Sequence, residues 1–249
     1  MSKERLAVIV AIALMTLGAD ARGQSPTSFE VAAIRPTTNN QGGPTGLNVF
    51  DGGLLRITNA TVRFLILATF RIQKDQIAGG PGWLDSDRFD IEAKTGRPEK
   101  TAQDQIPPLL ENLLAERFHF KFHRETRELT VNLLDIDKSG PKLKSSAEGT
   151  ATDMNMSYGP GKTQLTGTGV DTKSLAAGLG LSLGRIVVDQ TGLKGNYDLT
   201  LEWSPDQADD ATTPSLFTAL REQLGLRLYS GKAPVEVVVI DNVEKPSEN

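Results

Sequence analysis

The feature of this 249-residue chain that most restricts its fold is an order of segments that occurs twice. Leu54 to Thr58, then a helical stretch, then Arg88 to Glu92 finds a counterpart in Thr163 to Thr166, a helical stretch from Thr172, then Asn196 to Thr200. Further on, Leu114 to Phe120 corresponds to Leu220 to Leu226, and Thr130 to Asp137 (TVNLLDID) to Pro234 to Asp241 (PVEVVVID). The offset stays at roughly 104 to 110 residues, with small length changes in loops. A shared order over four segments implies two diverged copies of one unit, each unable to be read without the other.

Within a copy, the residue patterns alternate between strand and helix periods. Phe29 to Ile34 reads as a first strand. The turn formers of residues 37–46 follow as a loop, and Asp51-Gly52-Gly53 is a hairpin turn. Thr61 can cap a helix to about Phe70 that is apolar nearly all round, the mark of burial on most sides. Arg88 to Lys94 alternates as a half-buried strand. Ile106 to Glu116 has helical spacing, with Pro107 and Pro108 in the first turn, where missing N–H groups cost little. Phe118 to Phe122 and Leu129 to Ile136 read as two strands around a charged turn, His123 to Glu128. The expected fold class is α+β: two tandem units of ferredoxin-like type, with antiparallel or mixed sheets and helices on one face. Residues 22–137 form the first unit and 163–249 the second. Residues 138–162, rich in Ser, Gly, Thr and Lys, bury too little to order themselves and read as a flexible linker. Residues 204–214 read as a mobile loop and 244–249 as a frayed tail.

The first residues combine Lys3 and Arg5 with an apolar run from Leu6 to Leu17, shorter than the roughly 20 residues a membrane span needs. The Ala19-Asp20-Ala21 step completes the pattern of a signal peptide over residues 1–21. Export to a periplasmic or extracellular space is therefore expected, with no stable membrane span after cleavage. The chain has no cysteine, which excludes disulfides and a lipid-anchoring cysteine, so burial alone must hold the fold. The net charge of −4 offers no basic footprint, and nucleic acid is excluded as a partner.

Four strings carry a resemblance: GGPGWLDSDRFDIEAK from Gly79, LLAERFHFKFHRETREL from Leu113, DQTGLKGNYDLTLEW from Asp189 and PSLFTALREQLGLRL from Pro214. With them the chain resembles an uncharacterised family of exported proteins, a domain of unknown function. That family is expanded in acidobacterial-type soil bacteria and also appended to beta-lactam-sensor-type membrane metallopeptidases. The resemblance spans Phe29 to about Pro246. It implies export but no activity, because the family brings no catalytic residue and the metallopeptidase's zinc motif does not occur here.

The chemistry-bearing residues mostly take structural roles on sequence grounds. Gly180-Leu181-Ser182-Leu183-Gly184 fits a nucleophile elbow in letters only: both histidines precede it, whereas that fold places its histidine afterwards. His119 and His123 sit on an alternating strand pattern, where four residues span about 13 Å, too far for one metal ion. Asp85-Ser86-Asp87 reads as a turn rather than a calcium loop. No Walker loop, dinucleotide fingerprint or zinc cysteine pattern occurs, so no cofactor is expected. Asp90 and Asp198, matched between copies, read as strand-edge anchors. The candidate recognition loop is Gly79, Gly80, Pro81, Gly82 and Trp83 with Asp85 and Asp87, and the competing role for Trp83 is a core plug. Trp203 reads as the inward end of its strand.

Two functions follow as expectations. The first is a non-enzymatic periplasmic or secreted binding module contacting a protein or cell-envelope component. The alternative is a secreted hydrolase using carboxylates from Asp85, Asp87, Asp90 and Glu92, which a glycosidase would need roughly 5 to 9.5 Å apart across a cleft.

Overall fold

The computed structural model describes residues 28–37, 43–95, 105–204 and 213–246. The expected leader lies outside the described residues, as do parts of the expected loops and tail.

The first half opens with strands β1 (Val31–Pro36), β2 (Gly46–Phe50) and β3 (Leu54–Thr61), then helix α1 (Val62–Phe70). It continues through β4 (Ile77–Ala78), the one-turn helix α2 (Trp83–Ser86), β5 (Arg88–Lys94), α3 (Ile106–Phe118) and the long strand β6 (Lys121–Ile136). The second half runs β7 (Lys144–Ser145), β8 (Asp153–Gly159), β9 (Lys162–Val170), α4 (Thr172–Leu183), β10 (Val187–Asp189) and β11 (Tyr197–Trp203). It ends with α5 (Leu216–Ala219), a widened helical turn and β12 (Leu226–Asn242).

The strands form three four-stranded sheets. The first has the order β1-β5-β3-β2, and the third has the order β7-β11-β9-β8, the same sequence of positions six strands later. Both are antiparallel throughout. The middle sheet, β10-β6-β12-β4, draws on both halves. Here β6 and β12 pair antiparallel from Leu226 opposite Ile136 to Asn242 opposite Lys121. Each short outer strand is parallel to the long strand of the other half: β4 to β12, and β10 to β6.

Local chemistry repeats along with topology. At the end of β3, Asn59 has a left-handed φ of 54°, and the Asp90 carboxylate accepts its N–H at 2.8 Å and the Thr37 hydroxyl at 3.1 Å. At the end of β9, Gly169 has φ 62°, and Asp198 accepts its N–H at 3.1 Å and the Ser146 hydroxyl at 2.5 Å. In each case the ladder slips at that point, and a side-chain oxygen then caps the next helix. Thr61 accepts from the Phe64 N–H at 3.1 Å, and Asp171 from the Ser174 N–H at 2.7 Å. The caps satisfy N–H groups that a helix start leaves without partners.

Two large cores lie at opposite ends of the β6–β12 ribbon. The first is enclosed by the inner face of the first sheet, α1 and α3, with Phe120 just before β6; the ribbon supplies Val238, with Phe122 and Ile240 against its margin. The second holds α4, α5 and the inner residues of β9 and β11, including buried Trp203, and the ribbon supplies Leu134, Leu226 and Leu228. Each long strand thus starts in one core and ends in the other.

Several expectations are corrected by this arrangement. The chain is a mixed α+β structure, mostly strand, and the halves are not clearly ferredoxin-like units, because the last strand of each leaves its own sheet to pair with the other. Residues 123–128 form no turn. They continue β6, facing Thr126 to Glu236 and Glu125 to Val237, since a neighbouring strand satisfies their backbone while their charges stay exposed. The expected linker carries β7 and β8: Met154 packs beneath Gly178 of α4, and Met156 packs against the second core, alternate contacts sufficient to hold an edge strand. Residues 244 and 245 are tied down rather than frayed, with the Glu244 N–H donating to the Phe118 carbonyl at 2.7 Å.

The two helix-ending glycines Gly184 (φ 60°) and Gly225 (φ 66°) separate backbone strain from crowding. A Cβ on Gly184 would meet nothing within 4 Å, whereas one on Gly225 would lie 2.0 Å from the Gly140 carbonyl oxygen. Gly184→Ala should therefore cost about 1 kcal/mol in urea unfolding, the left-handed penalty alone. Gly225→Ala should cost about 3 kcal/mol, overpacking being added. Equal losses would contradict the close approach of Gly225 to residues 140–142.

Candidate functional site

The recognition loop predicted from sequence is built where β4 meets the far end of β12. Gly79 and Gly80 have φ values of 78° and 86°, and a Cβ on Gly80 would come within 2.5 Å of Leu84 Cδ1 and 3.0 Å of Ile240 Cδ1. Only glycine permits this turn at this closeness. Pro81 and Gly82 are exposed, and α2 follows, anchored by fully buried Leu84. Trp83 is half-buried, packed against the first core on one side. The Lys245 ammonium lies 5.7 Å from its ring centroid, a cation–π distance.

The two aspartates of the loop are held by cations from other elements. Asp85 pairs with Arg63 of α1 at 2.7 Å, and Asp87 with Lys245 at 2.6 Å. The hydrogen bond from Lys245, helped by Ser86, keeps the Asp87 carboxyl below the usual carboxylate range. Lys245 thus straps the end of β12 across the loop, touching both Trp83 and Asp87.

Of the four carboxylates of the hydrolase alternative, Asp90 and Glu92 line one cleft of about 450 Å³ on the first sheet, but each of the four has an internal partner. Asp85 and Asp87 are in the ion pairs above. Asp90 accepts from Asn59 and Thr37, and Glu92 pairs with Arg56 of β3 at 2.8 Å. Ser182 lies on the exposed last turn of α4, which Gly184 ends, so the glycine pattern around it terminates a helix. Among the described residues no group of three or more His, Asp or Glu side chains is placed to hold a metal ion. No helix among them is long and apolar enough to cross a membrane.

A concavity that no sequence pattern marked sits at the seam of the two halves. A cleft of about 360 Å³ is lined by Asp75 of the first half, by Gly184, Arg185 and Ile186 of the second, and by Thr130, Val131, Asn132 and Ser230 of the ribbon. Asn132 and Ser230 face each other in the ladder and Thr130 lies two residues along, so the three share one face. No motif could have shown this set, because its members come from four separated segments.

A model of a protein family of unknown function matches residues 63–243, a span that takes in α1, the recognition loop, the ribbon and nearly all of the second half. The chain belongs to this family, DUF3738. No match is found among curated proteins or among solved structures. That one DUF3738 model runs through both halves agrees with the ribbon's joining them into one structure.

Both histidines of this DUF3738 member tie the start of β6 to the end of β12. His119 Nδ1 lies 3.4 Å from Glu244, and His123 sits between Asp241 on Nδ1 at 2.7 Å and Glu125 on Nε2 at 3.0 Å, with Arg127 completing the row on Glu125. The hydrogen bonds to Glu125 and Asp241 raise the His123 pKa above its ordinary value. A raised histidine contributes its stabilisation fully below the unfolded-state pKa of about 6.5, and loses it as pH rises through the folded-state value. An NMR titration of the imidazole C–H signals should place the His123 midpoint above that of an unstructured histidine. The Glu125→Gln, Asp241→Asn double variant should bring it back down, and an unmoved midpoint would contradict the assigned pairing.

Proposed function

We propose that this chain is an exported, non-enzymatic binding module, made of two copies of one unit, that contacts a protein or cell-envelope component through the loop at Gly79–Trp83. The observation that carries this is the fixing of Trp83. Its ring is held between the first core and Lys245, and Asp85 and Asp87 are tied to Arg63 and Lys245. An aromatic edge already locked in place loses little conformational freedom on contact, which favours binding. The carboxylates needed by a polymer hydrolase are committed to internal partners, which weighs against that alternative. Duplication is supported by the matched sheet orders and by the equivalent Asp90 and Asp198 anchors. The resemblance to exported proteins of acidobacterial-type soil bacteria, and to the domain appended to beta-lactam-sensor-type metallopeptidases, supports an envelope setting.

Two measurements test this. When the whole chain is expressed in a bacterium, the product should be recovered outside the cytoplasm and begin at Arg22. Recovery in the cytoplasm with residues 1–21 retained would contradict export. The purified protein should co-sediment with isolated cell-envelope fragments, and Lys245→Glu, which releases Trp83 and sets a second carboxylate beside Asp87, should weaken this by about tenfold, or roughly 1.4 kcal/mol, while circular dichroism shows the chain still folded at the assay temperature. Turnover of an envelope polymer, or binding indifferent to Lys245→Glu, would overturn the assignment.

A further inference from the structure

The seam cleft has the attributes of a small-molecule site, and it is separate from the Trp83 surface. It lies where elements of both halves meet, the kind of junction at which ligand sites concentrate, and its volume of about 360 Å³ falls in the range of sites for small ligands. Its floor is polar. Thr130, Asn132 and Ser230 present two hydroxyls and an amide on one face of the ribbon, spaced by the strand repeat and the ladder. Its walls bear opposite charges: Asp75, just before β4, belongs to the first half, and Arg185, just after the helix-ending Gly184, belongs to the second.

These side chains are distinguished by what they do not do within the protein. Most charged groups of the ribbon are paired internally: Arg124 with Glu236, Arg127 with Glu125, His123 with Asp241, Arg227 with Asp135 and Lys232 with Glu128. Asp75, Thr130, Asn132, Arg185 and Ser230 instead have no side-chain hydrogen bond or ion pair among the described residues. A guanidinium offers a fork of donors matched to a carboxylate, and a lone carboxylate accepts from an ammonium. The hydroxyls and the amide between them can donate and accept along a short polar backbone.

We infer that this cleft binds a small zwitterion of amino-acid or dipeptide size, with its carboxylate on Arg185, its ammonium on Asp75 and its amide or α-carbon region over Thr130, Asn132 and Ser230. The ligand would bridge the halves and thereby stabilise the whole chain rather than one core. Because Asp75 and Arg185 are exposed and unpaired internally, replacing either removes a ligand contact while the fold keeps all its own.

The test is an amide-resolved NMR titration of the full chain with alanine and with Ala-Ala, alongside N-acetylalanine, alaninamide and glucose. Saturable shifts centred on Thr130, Asn132, Gly184 and Ser230 are expected with a zwitterion in the millimolar range or tighter, the relative response to alanine and Ala-Ala setting the ligand's length. N-acetylalanine and Arg185→Gln should each weaken binding by about tenfold, as should alaninamide and Asp75→Asn, and glucose should leave the cleft unshifted. A cleft that responds to neither zwitterion at about 10 mM, equal binding of the blocked forms, or binding indifferent to both substitutions would overturn the proposal. None of these outcomes bears on the Trp83 surface, whose test is independent.

Discussion

The ladder between β6 and β12 is the interaction on which the rest depends. In a chain without cysteines no disulfide can lock the halves together, so backbone pairing along these two long strands does it, with the apolar side chains they carry. The ladder satisfies donors and acceptors over its length, and it delivers Phe122 and Val238 to one core and Leu134 and Leu226 to the other. Neither core is closed by residues of its own half alone. Removing the ribbon would expose both.

How much of this was legible in the sequence depended on whether a signal was local. The Thr61 cap, the buried α1, the inward Trp203 and the anchoring role of Asp90 and Asp198 could all be read, because each rests on periodicity, turn chemistry or the parallel order of segments in the two halves. The course of β6 through His123–Glu128 could not. Six consecutive polar residues resemble a turn until a partner strand is known, and that partner, Pro234 to Val239, is more than 100 residues away. The same blindness hid β8. Its pattern is too polar to signal burial, and Met154 under α4, Met156 against the second core and the pairing with β9 hold it. The ferredoxin-like expectation failed for a related reason, since strand spacing does not say whether a last strand returns to its own sheet.

The two candidate sites differ in the same way. The loop at Gly79–Trp83 was visible because a tight glycine turn followed by tryptophan is a local pattern, but its ties to Arg63 and Lys245 were not. The cleft at the seam had no sequence trace, since it exists only where Asp75, Arg185 and the ribbon come together. Internal charge pairing separates the two: it is nearly complete around Trp83, which gives a rigid surface, and absent in the cleft, where polar groups are left for a ligand. Both sites rest on the ribbon, one at its end and one at its middle.

The dependence of both cores on one ribbon can be measured with the two tryptophans, since Trp83 reports on the first half and Trp203 on the second. In the Trp83→Phe and Trp203→Phe variants, the single remaining fluorescence signal should be followed through urea unfolding beside far-ultraviolet circular dichroism. One cooperative transition, with the fluorescence and dichroism curves of each variant superimposed, is the predicted result. Separate transitions for the two halves would contradict the claim that neither core closes without the shared ladder.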